Sequence, residues 1–386
     1  MKILHSADCH FSATNLEEVS RCVEYMIDNA IEEKVDLAVI AGDYLDEYGS
    51  SIKVEDEVLG KASEAIRRLA DHCPVFMVQG TYSHEHPGSL NIFAKLQAKH
   101  QIYVADKIQQ VFLDTDNCFW ADEPSPFSET KVVFSALPPV NKAHLMAYQN
   151  GGSQEVNQEI KDLLLDVFRG FGQVNDQHEC PCIFVGHGTI VGAEVAEGQT
   201  LVGQDIEFSI NDLRQGRFSA SLLGHIHRRQ AWDEVMYSGS ICQLNFGEEE
   251  EKGFNIVTLE GKQLKDVKFI RTPCRPRISI DLGQNPTLES LANLDGNGAY
   301  LRIRYQVDEE NRNGFRDEDI RKTLSGAYEI KIEKTIIPKE RRRAPEISRM
   351  RSLEEKLIRW GETVNATIPP GVLTKAKMIE EGDSHD

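Results

Sequence analysis

The sequence predicts an α/β protein: a two-sheet sandwich flanked by helices, then a small α+β cap domain and a C-terminal helical pair. Three observations carry this expectation. Short apolar runs rich in Val, Ile, Leu and Ala at 2–7, 37–41, 75–78, 182–185 and 220–223 have the length and composition of buried strands. Amphipathic stretches at 16–33 and 55–70 follow the first two runs, giving a strand–helix alternation. Each run ends in a His or Asp cluster: Asp8-Cys9-His10, Gly42-Asp43, Ser83-His84-Glu85, Gly186-His187-Gly188 and Gly224-His225-Ile226-His227. Loops leaving the strand ends of an open α/β sheet converge on one edge, so clusters far apart in sequence can share a cleft.

Further elements follow in order. Strand patterns dominate after Ala98, at 110–113, 131–136, 254–259 and 264–270, and a helix is expected at 154–169. Two prolines within Thr272-Pro273-Cys274-Arg275-Pro276 mark a boundary, so 1–273 is the expected first domain. Alternation at Ile278/Ile280/Leu282, Leu301/Ile303/Tyr305 and Ile330/Ile332, with helical segments near 287–294 and 314–324, gives the cap domain, 274–337. A Pro- and Arg-rich linker at 338–345 opens the last region, 338–386. There Ile347, Met350, Leu353, Leu357, Trp360 and Val364 recur at helical spacing, Ser352-x-x-Glu355 has the form of a capping box, and Pro369-Pro370 separates a second helix at 372–381.

Composition is that of an ordinary globular chain, with 40% hydrophobic and 27% charged residues in 386. No apolar stretch approaches the roughly 20 residues needed to span a bilayer, so no membrane is expected. Met1-Lys2-Ile3-Leu4-His5 runs straight into a strand without signal-peptide layout, and eight cysteines lack framework spacing; together these lead us to expect reduced thiols in a cytoplasmic protein. The net charge of −19 disfavours a purely electrostatic nucleic-acid binder. Basic residues nevertheless gather at Arg228-Arg229, 271–277 and 339–343. An enzyme acting on phosphates through metals remains compatible with this balance.

The clusters point to a two-metal site. Asp8 and His10, like His225 and His227, are two residues apart in a loop after a strand, so both members of each pair can face one cleft. Imidazole mixed with carboxylate suits Mn²⁺, Fe²⁺ or Zn²⁺ better than Mg²⁺ or Ca²⁺. Two ions about 3.5–4 Å apart can clamp the attacking and leaving oxygens of a phosphoester, and one carboxylate must bridge them; Asp43 is the candidate. Any one of these clusters alone reads as a turn or a satisfied core histidine, as His5 does; their joint order and placement carry the reading.

Asp8-x-His10, Gly42-Asp43, the Gly80 to His84 loop, Gly186-His187 and Gly224-His225-x-His227 resemble the signature of calcineurin-like metallophosphoesterases. The opening Met-Lys-Ile-Leu-His-Ser-Ala-Asp-Cys-His, Tyr237-Ser238-Gly239-Ser240-Ile241, Asn245-Phe246-Gly247-Glu248 and Lys252-Gly253-Phe254 are similar to one branch, the SbcD-type DNA repair nucleases, bacterial or phage-encoded, which pair with an SbcC-type, SMC-like ATPase. The resemblance implies that Asp8, His10, Asp43 and His227 hold one ion and Asp43, His187 and His225 the other. His84 would be the catalytic histidine, stabilising the phosphate and protonating the leaving oxygen during in-line attack by water. It further implies two divalent ions, preferably Mn²⁺, exonuclease and endonuclease activity on DNA, a DNA-binding cap, ATPase docking on the C-terminal helices, and a homodimer formed through helices near 55–70 and 90–99. Arg228 and Arg229, directly after the metal histidines, would meet the substrate backbone.

One departure stands out. The family has Gly-Asn-His-Asp, with the Asn amide oxygen on the second ion, where this chain has Gly80-Thr81-Tyr82-Ser83-His84-Glu85. Aligning on His84 puts Ser83 in the Asn position; the other register makes Thr81 the substitute and loses the histidine. The role of Asp46, where some members carry a histidine, is open. Two further readings stay beside the nuclease: a phosphodiesterase or phosphatase on nucleotides or other small phosphoesters, and a catalytically weakened scaffold that regulates an ATPase.

Overall fold

The computed structural model describes residues 1–46, 56–139, 153–199, 207–291, 294, 296–338 and 346–382. The basic run at 339–343 and most of the expected linker lie outside them.

In chain order the elements are β1 (Lys2–Ser6), α1 (Leu16–Glu32), β2 (Leu37–Ala41), α2 (Glu57–Ala70), β3 (Val75–Val78), β4 (Ile102–Ala105), β5 (Gln109–Asp114), β6 (Phe119–Ala121), β7 (Thr130–Leu137), α3 (Ser153–Asn175), β8 (Cys182–His187), β9 (Thr189–Ile190), β10 (Glu207–Phe208), α4 (Ile210–Arg214), β11 (Ala220–Gly224), β12 (Gln230–Trp232), β13 (Val235–Tyr237), β14 (Gly253–Glu260) and β15 (Gln263–Arg271). A six-stranded sheet has the order β15-β14-β1-β2-β3-β4, and a seven-stranded sheet the order β12-β13-β11-β8-β7-β5-β6. Strands β1 to β4 run parallel, as do β7, β8, β11 and β13.

The side chains explain why these strands read as unbroken apolar runs rather than alternating ones. In β2, Leu37, Val39 and Ala41 point into a core shared with Ile183 and Val185 of β8 and Ala220 and Leu222 of β11. Ala38 and Ile40 point the other way, against Val19, Val23 and Met26 of α1 and Ala62 and Ile66 of α2. On the outer face of the second sheet, Phe184 and Leu223 meet Leu164 and Phe168 of α3. Each sheet is thus covered on both faces, giving helix, sheet, sheet, helix in layers, and both faces of a strand must be apolar. The expected sandwich is the one found.

Strand ends position the clusters. Ser6 of β1 pairs with Ile40 of β2, and Ala41 with Val78 of β3, so the loops after β1, β2 and β3 leave side by side. Strand β8 runs two residues further than the apolar run indicates and ends on His187 itself, opposite Gly224 of β11. Helix α3 likewise continues past 169 to Asn175, and Phe171 supplies a further apolar contact.

Beyond these lie β16 (Arg277–Gln284), β17 (Tyr300–Asp308), α5 (Asp317–Thr323), β18 (Glu329–Ile337), α6 (Leu353–Thr363) and α7 (Pro370–Gly382), with β16-β17-β18 forming a three-stranded sheet. By compactness the chain divides into two units. One comprises Met1–Ile280, Asp295–Arg302 and Gly326–Lys331; the other comprises Asp281–Leu294, Ile303–Ser325 and Ile332–Asp386. In the second, the capping box forms as read: the Ser352 hydroxyl accepts from Glu355 N at 3.1 Å, while Ser352 N donates to the Glu355 carboxylate at 3.5 Å. Helix α7 is tied to α6 by Lys377 and Glu354 at 3.1 Å. The segment near 90–99 contains a short 3₁₀ turn, Ser89–Lys95, rather than an α-helix. Among the described residues, no helix is long and apolar enough to cross a membrane.

Candidate metal centre

The clusters converge as the strand ends require. Asp8, His10 and His227 bring one ligand atom each to within 4.8 Å of one another, and so do Asp43, His187 and His225. All six are buried. The two trios are joined through Asp43, whose Oδ2 lies 3.2 Å from His187 Nε2 and 3.8 Å from His10 Nε2.

The backbone is bent to achieve this. Asp8, His10, Asp43 and His225 all have positive φ, at 50°, 53°, 47° and 97°, a region costly for residues with a β-carbon. Two glycines make room. A β-carbon on Gly42, itself at φ +85°, would stand 2.2 Å from His187 Nδ1, and one on Gly80 would stand 2.1 Å from Asp43 N.

Neighbouring groups fix each side chain. Asp8 accepts from His225 N through both oxygens, at 2.9 and 3.1 Å. His187 Nδ1 lies 2.8 Å from the Ala41 carbonyl, which leaves Nε2 facing Asp43. His227 Nδ1 is 3.3 Å from Glu248 Oε1, and Glu248 is itself held by Leu244 N at 2.9 Å and Lys252 Nζ at 3.0 Å. Such carboxylate–histidine pairs orient metal-binding imidazoles and fix their tautomer.

Charge is distributed unevenly. Burial alone lowers the His187 imidazole, but Asp43 outweighs it and holds it up at about 10. Burial would raise Asp43, yet His187 and His10 hold it well below the ordinary carboxylate range. Burial pushes the Asp8 carboxyl up, with His187 and His227 opposing. Burial drives His10 down to about 3, so its ring is neutral. Glu248, although buried, is brought down to about 2 by His227 and Lys252.

The donor set fits divalent ions. His10 Nε2 and His227 Nε2 face each other at 3.2 Å with Asp8 alongside, an arrangement of lone pairs and carboxylate that a cation would satisfy. The mixed imidazole–carboxylate chemistry is that of transition metals more than of Mg²⁺.

The loop after β3 corrects the expectation for Ser83. Ser83 is exposed. Thr81 stands at the centre instead: its amide donates to Asp43 Oδ1 at 2.6 Å, and its hydroxyl lies 3.2 Å from Asp43 Oδ2, 3.1 Å from His187 Nε2 and 3.5 Å from His225 Nδ1. The two registers proved compatible, because the loop accommodates both residues. His84 is still at the site, its ring edge-on to His10 at 4.7 Å and its Nδ1 2.6 Å from Asp46 Oδ1. Burial lowers His84, but Asp46 more than compensates and raises it above the ordinary imidazole value.

Glu85 explains the loop's shape. Its buried carboxylate accepts from Tyr44 N at 2.6 Å, Leu45 N at 3.0 Å and Gly80 N at 2.6 Å, binding the β2 and β3 loops together. Sequence reading gave Thr81 only as the alternative register, left the role of Asp46 open and missed the roles of Glu85 and Glu248, whose only local signal was their position inside motif segments. Arg228 and Arg229 are not part of the cluster. Arg228 pairs with Glu194 at 2.9 Å, and Arg229 lies over the Phe269 ring at 4.5 Å.

The family model for calcineurin-like phosphoesterases matches residues 1–229. Among solved structures, the chain is similar to a dimetal phosphatase from Danio rerio, at 12% identity over 70% of this chain and 99% of that one, with a TM-score of 0.40. A second solved structure matches at 13% identity over 70% of this chain and 98% of that one, with a TM-score of 0.36. The matched residues include every member of both trios, and the chain belongs to the calcineurin-like phosphoesterase family.

Proposed function

We propose that this chain is the nuclease subunit of an SbcD-type complex, a Mn²⁺-dependent DNA exonuclease and endonuclease that works with an SMC-like ATPase in DNA-end processing. One observation carries the reading beyond phosphoester hydrolysis. The segment Asn245–Glu248, which resembles the SbcD-type branch, is built into the centre: Glu248 orients His227, and the Asn245 amide donates to Glu248 at 3.2 Å. In this reading 274–337 helps bind DNA, the C-terminal helices dock the ATPase, the working form is a homodimer, and the complex is cytoplasmic. Exposed apolar side chains on the helical pair, among them Trp360, Val372, Met378 and Ile379, support a docking role.

Asp8, His10, Asp43 and His227 would hold one ion; Asp43, Thr81, His187 and His225 would hold the other. Ions held by these residues would supply Lewis acidity toward a phosphoester and lower the pKa of water towards neutrality. The chain itself supplies the rest. Asp46 faces His84 Nδ1 and raises the imidazole above its ordinary value, which favours the protonated ring and leaves Nε2 as the donor to a leaving oxygen. Asp46 in turn keeps the ring oriented.

Cleavage of a hairpin DNA and of bis(p-nitrophenyl) phosphate, each with Mn²⁺, tests the reading. Cutting of the hairpin is expected; activity confined to the small ester would overturn the nuclease assignment.

A further inference from the structure

A ladder of arginines and aromatic rings begins at the turn that carries Glu248, the partner of His227. Arg302 lies over the Phe246 ring at 4.9 Å, Arg277 lies 5.8 Å from Phe246 and 4.2 Å from Tyr300, Tyr300 meets Tyr328 edge-on at 4.9 Å, and Arg275 covers Tyr328 at 4.0 Å. Its far end is neutralised: Arg275 pairs with Glu18 at 2.5 Å and Glu17 at 3.4 Å. Its near end is not. Among the described residues no carboxylate pairs with Arg277 or Arg302, whereas Arg21, Arg67, Arg214, Arg228 and Arg271 of the same unit each have one.

Both near-end forks are nonetheless held. Arg277 Nε donates to the Gln243 carbonyl at 2.7 Å and Arg302 Nε to the Ser279 hydroxyl at 3.2 Å. These bonds, with the stacking, fix each guanidinium plane and leave the terminal amino groups for a ligand. Both arginines are half-buried, so a partner would meet partly desolvated charge. Gln243 also donates to the Glu248 carbonyl at 2.5 Å, and Glu248 holds His227, so the ladder and the metal centre share one turn.

We infer that Arg277 and Arg302 form a phosphate clamp for a nucleic-acid strand whose scissile bond lies at the metal centre, with Phe246 and Tyr300 as positioning residues. The inference rests on the nuclease reading. A small monoester or diester has a single phosphorus, which the metal trios would occupy; two further cation forks require a substrate with further phosphates. Arginine forks match phosphate oxygens without reading base edges, so the clamp is indifferent to sequence. It also resolves the conflict between an acidic chain and an anionic substrate, because two unmatched charges act locally where the net charge of −19 does not.

The test is binding of a fluorescein-labelled twelve-residue oligo-dT to the full chain, by anisotropy in EDTA, across a salt series. Arg277→Gln and Arg302→Gln should each weaken binding and reduce the slope of log K against log salt by about 0.7 per lost phosphate contact. Arg302→Lys should restore the slope. Arg169→Gln, which removes an exposed arginine on α3, should leave it at the wild-type value. A wild-type slope in the double variant, an equal loss in Arg169→Gln, or no strand binding by wild type would overturn the clamp. If Arg277→Gln lowers the melting temperature, Arg302→Gln alone decides. Mn²⁺-dependent cleavage by the wild type is scored separately: cleavage with a slope insensitive to both arginines defeats the clamp alone, while clamp-dependent binding without DNA cleavage defeats the nuclease reading.

Discussion

Thr81 and Ser83 differ by two positions and by everything that matters at the site. The Thr81 hydroxyl is within 3.5 Å of Asp43, His187 and His225, and Ser83 faces solvent. Thr81→Ala should therefore weaken binding of the second Mn²⁺ by about 10-fold or more, while Ser83→Ala leaves it within about twofold; isothermal titration calorimetry separates them. His187 gives a pH dependence. It holds its proton up to about 10 when Asp43 is its partner, and a metal ligand must be neutral, so ion binding releases that proton. Affinity for Mn²⁺ should accordingly rise with pH between 7 and 9, by up to about tenfold per unit, and calorimetry in buffers of different ionisation heat should register proton release. Asp46→Asn removes the group that raises His84. The protonated fraction of His84 then falls at a lower pH, and the alkaline limb of the rate profile should move to lower pH, as a pH–rate series on the variant and wild type would show.

At the scale of elements, the strands were legible and the loops were not. Runs covered by apolar layers on both faces must be apolar throughout, so the ends of β1, β2, β3, β8 and β11 stood out, and with them six of the trio residues. The register of the loop after β3 has no such periodicity. Its shape follows from Glu85 accepting three backbone N–H groups from two loops, two of them from positions 41 and 40 residues away that no local pattern announces. Gly42 belongs to this scale too. With φ at +85° and His187 within 2.2 Å of an added β-carbon, Gly42→Ala should cost about 1–3 kcal/mol and displace His187, seen as a lower melting temperature together with reduced Mn²⁺ content.

Over the whole molecule, the sandwich and the position of the site followed from the order of the clusters, and the family match over residues 1–229 agrees with that order. What composition obscured was charge. A net charge of −19 says nothing of the ladder, where cations are stacked on rings rather than paired with acids. Each trio draws on both sheets: Asp8 and His10 follow β1 while His227 follows β11, and Asp43 follows β2 while His187 and His225 come from β8 and the end of β11. That arrangement fixes a sequence of events during synthesis. A chain leaving the ribosome completes neither trio until position 225 or 227 has emerged, with the strands of both sheets up to β11 already made. Until then its early ligands, Asp8, His10 and Asp43, supply only part of either trio. Ion binding at the two trios is thereby deferred until β11, the last strand to bring a ligand, has been made.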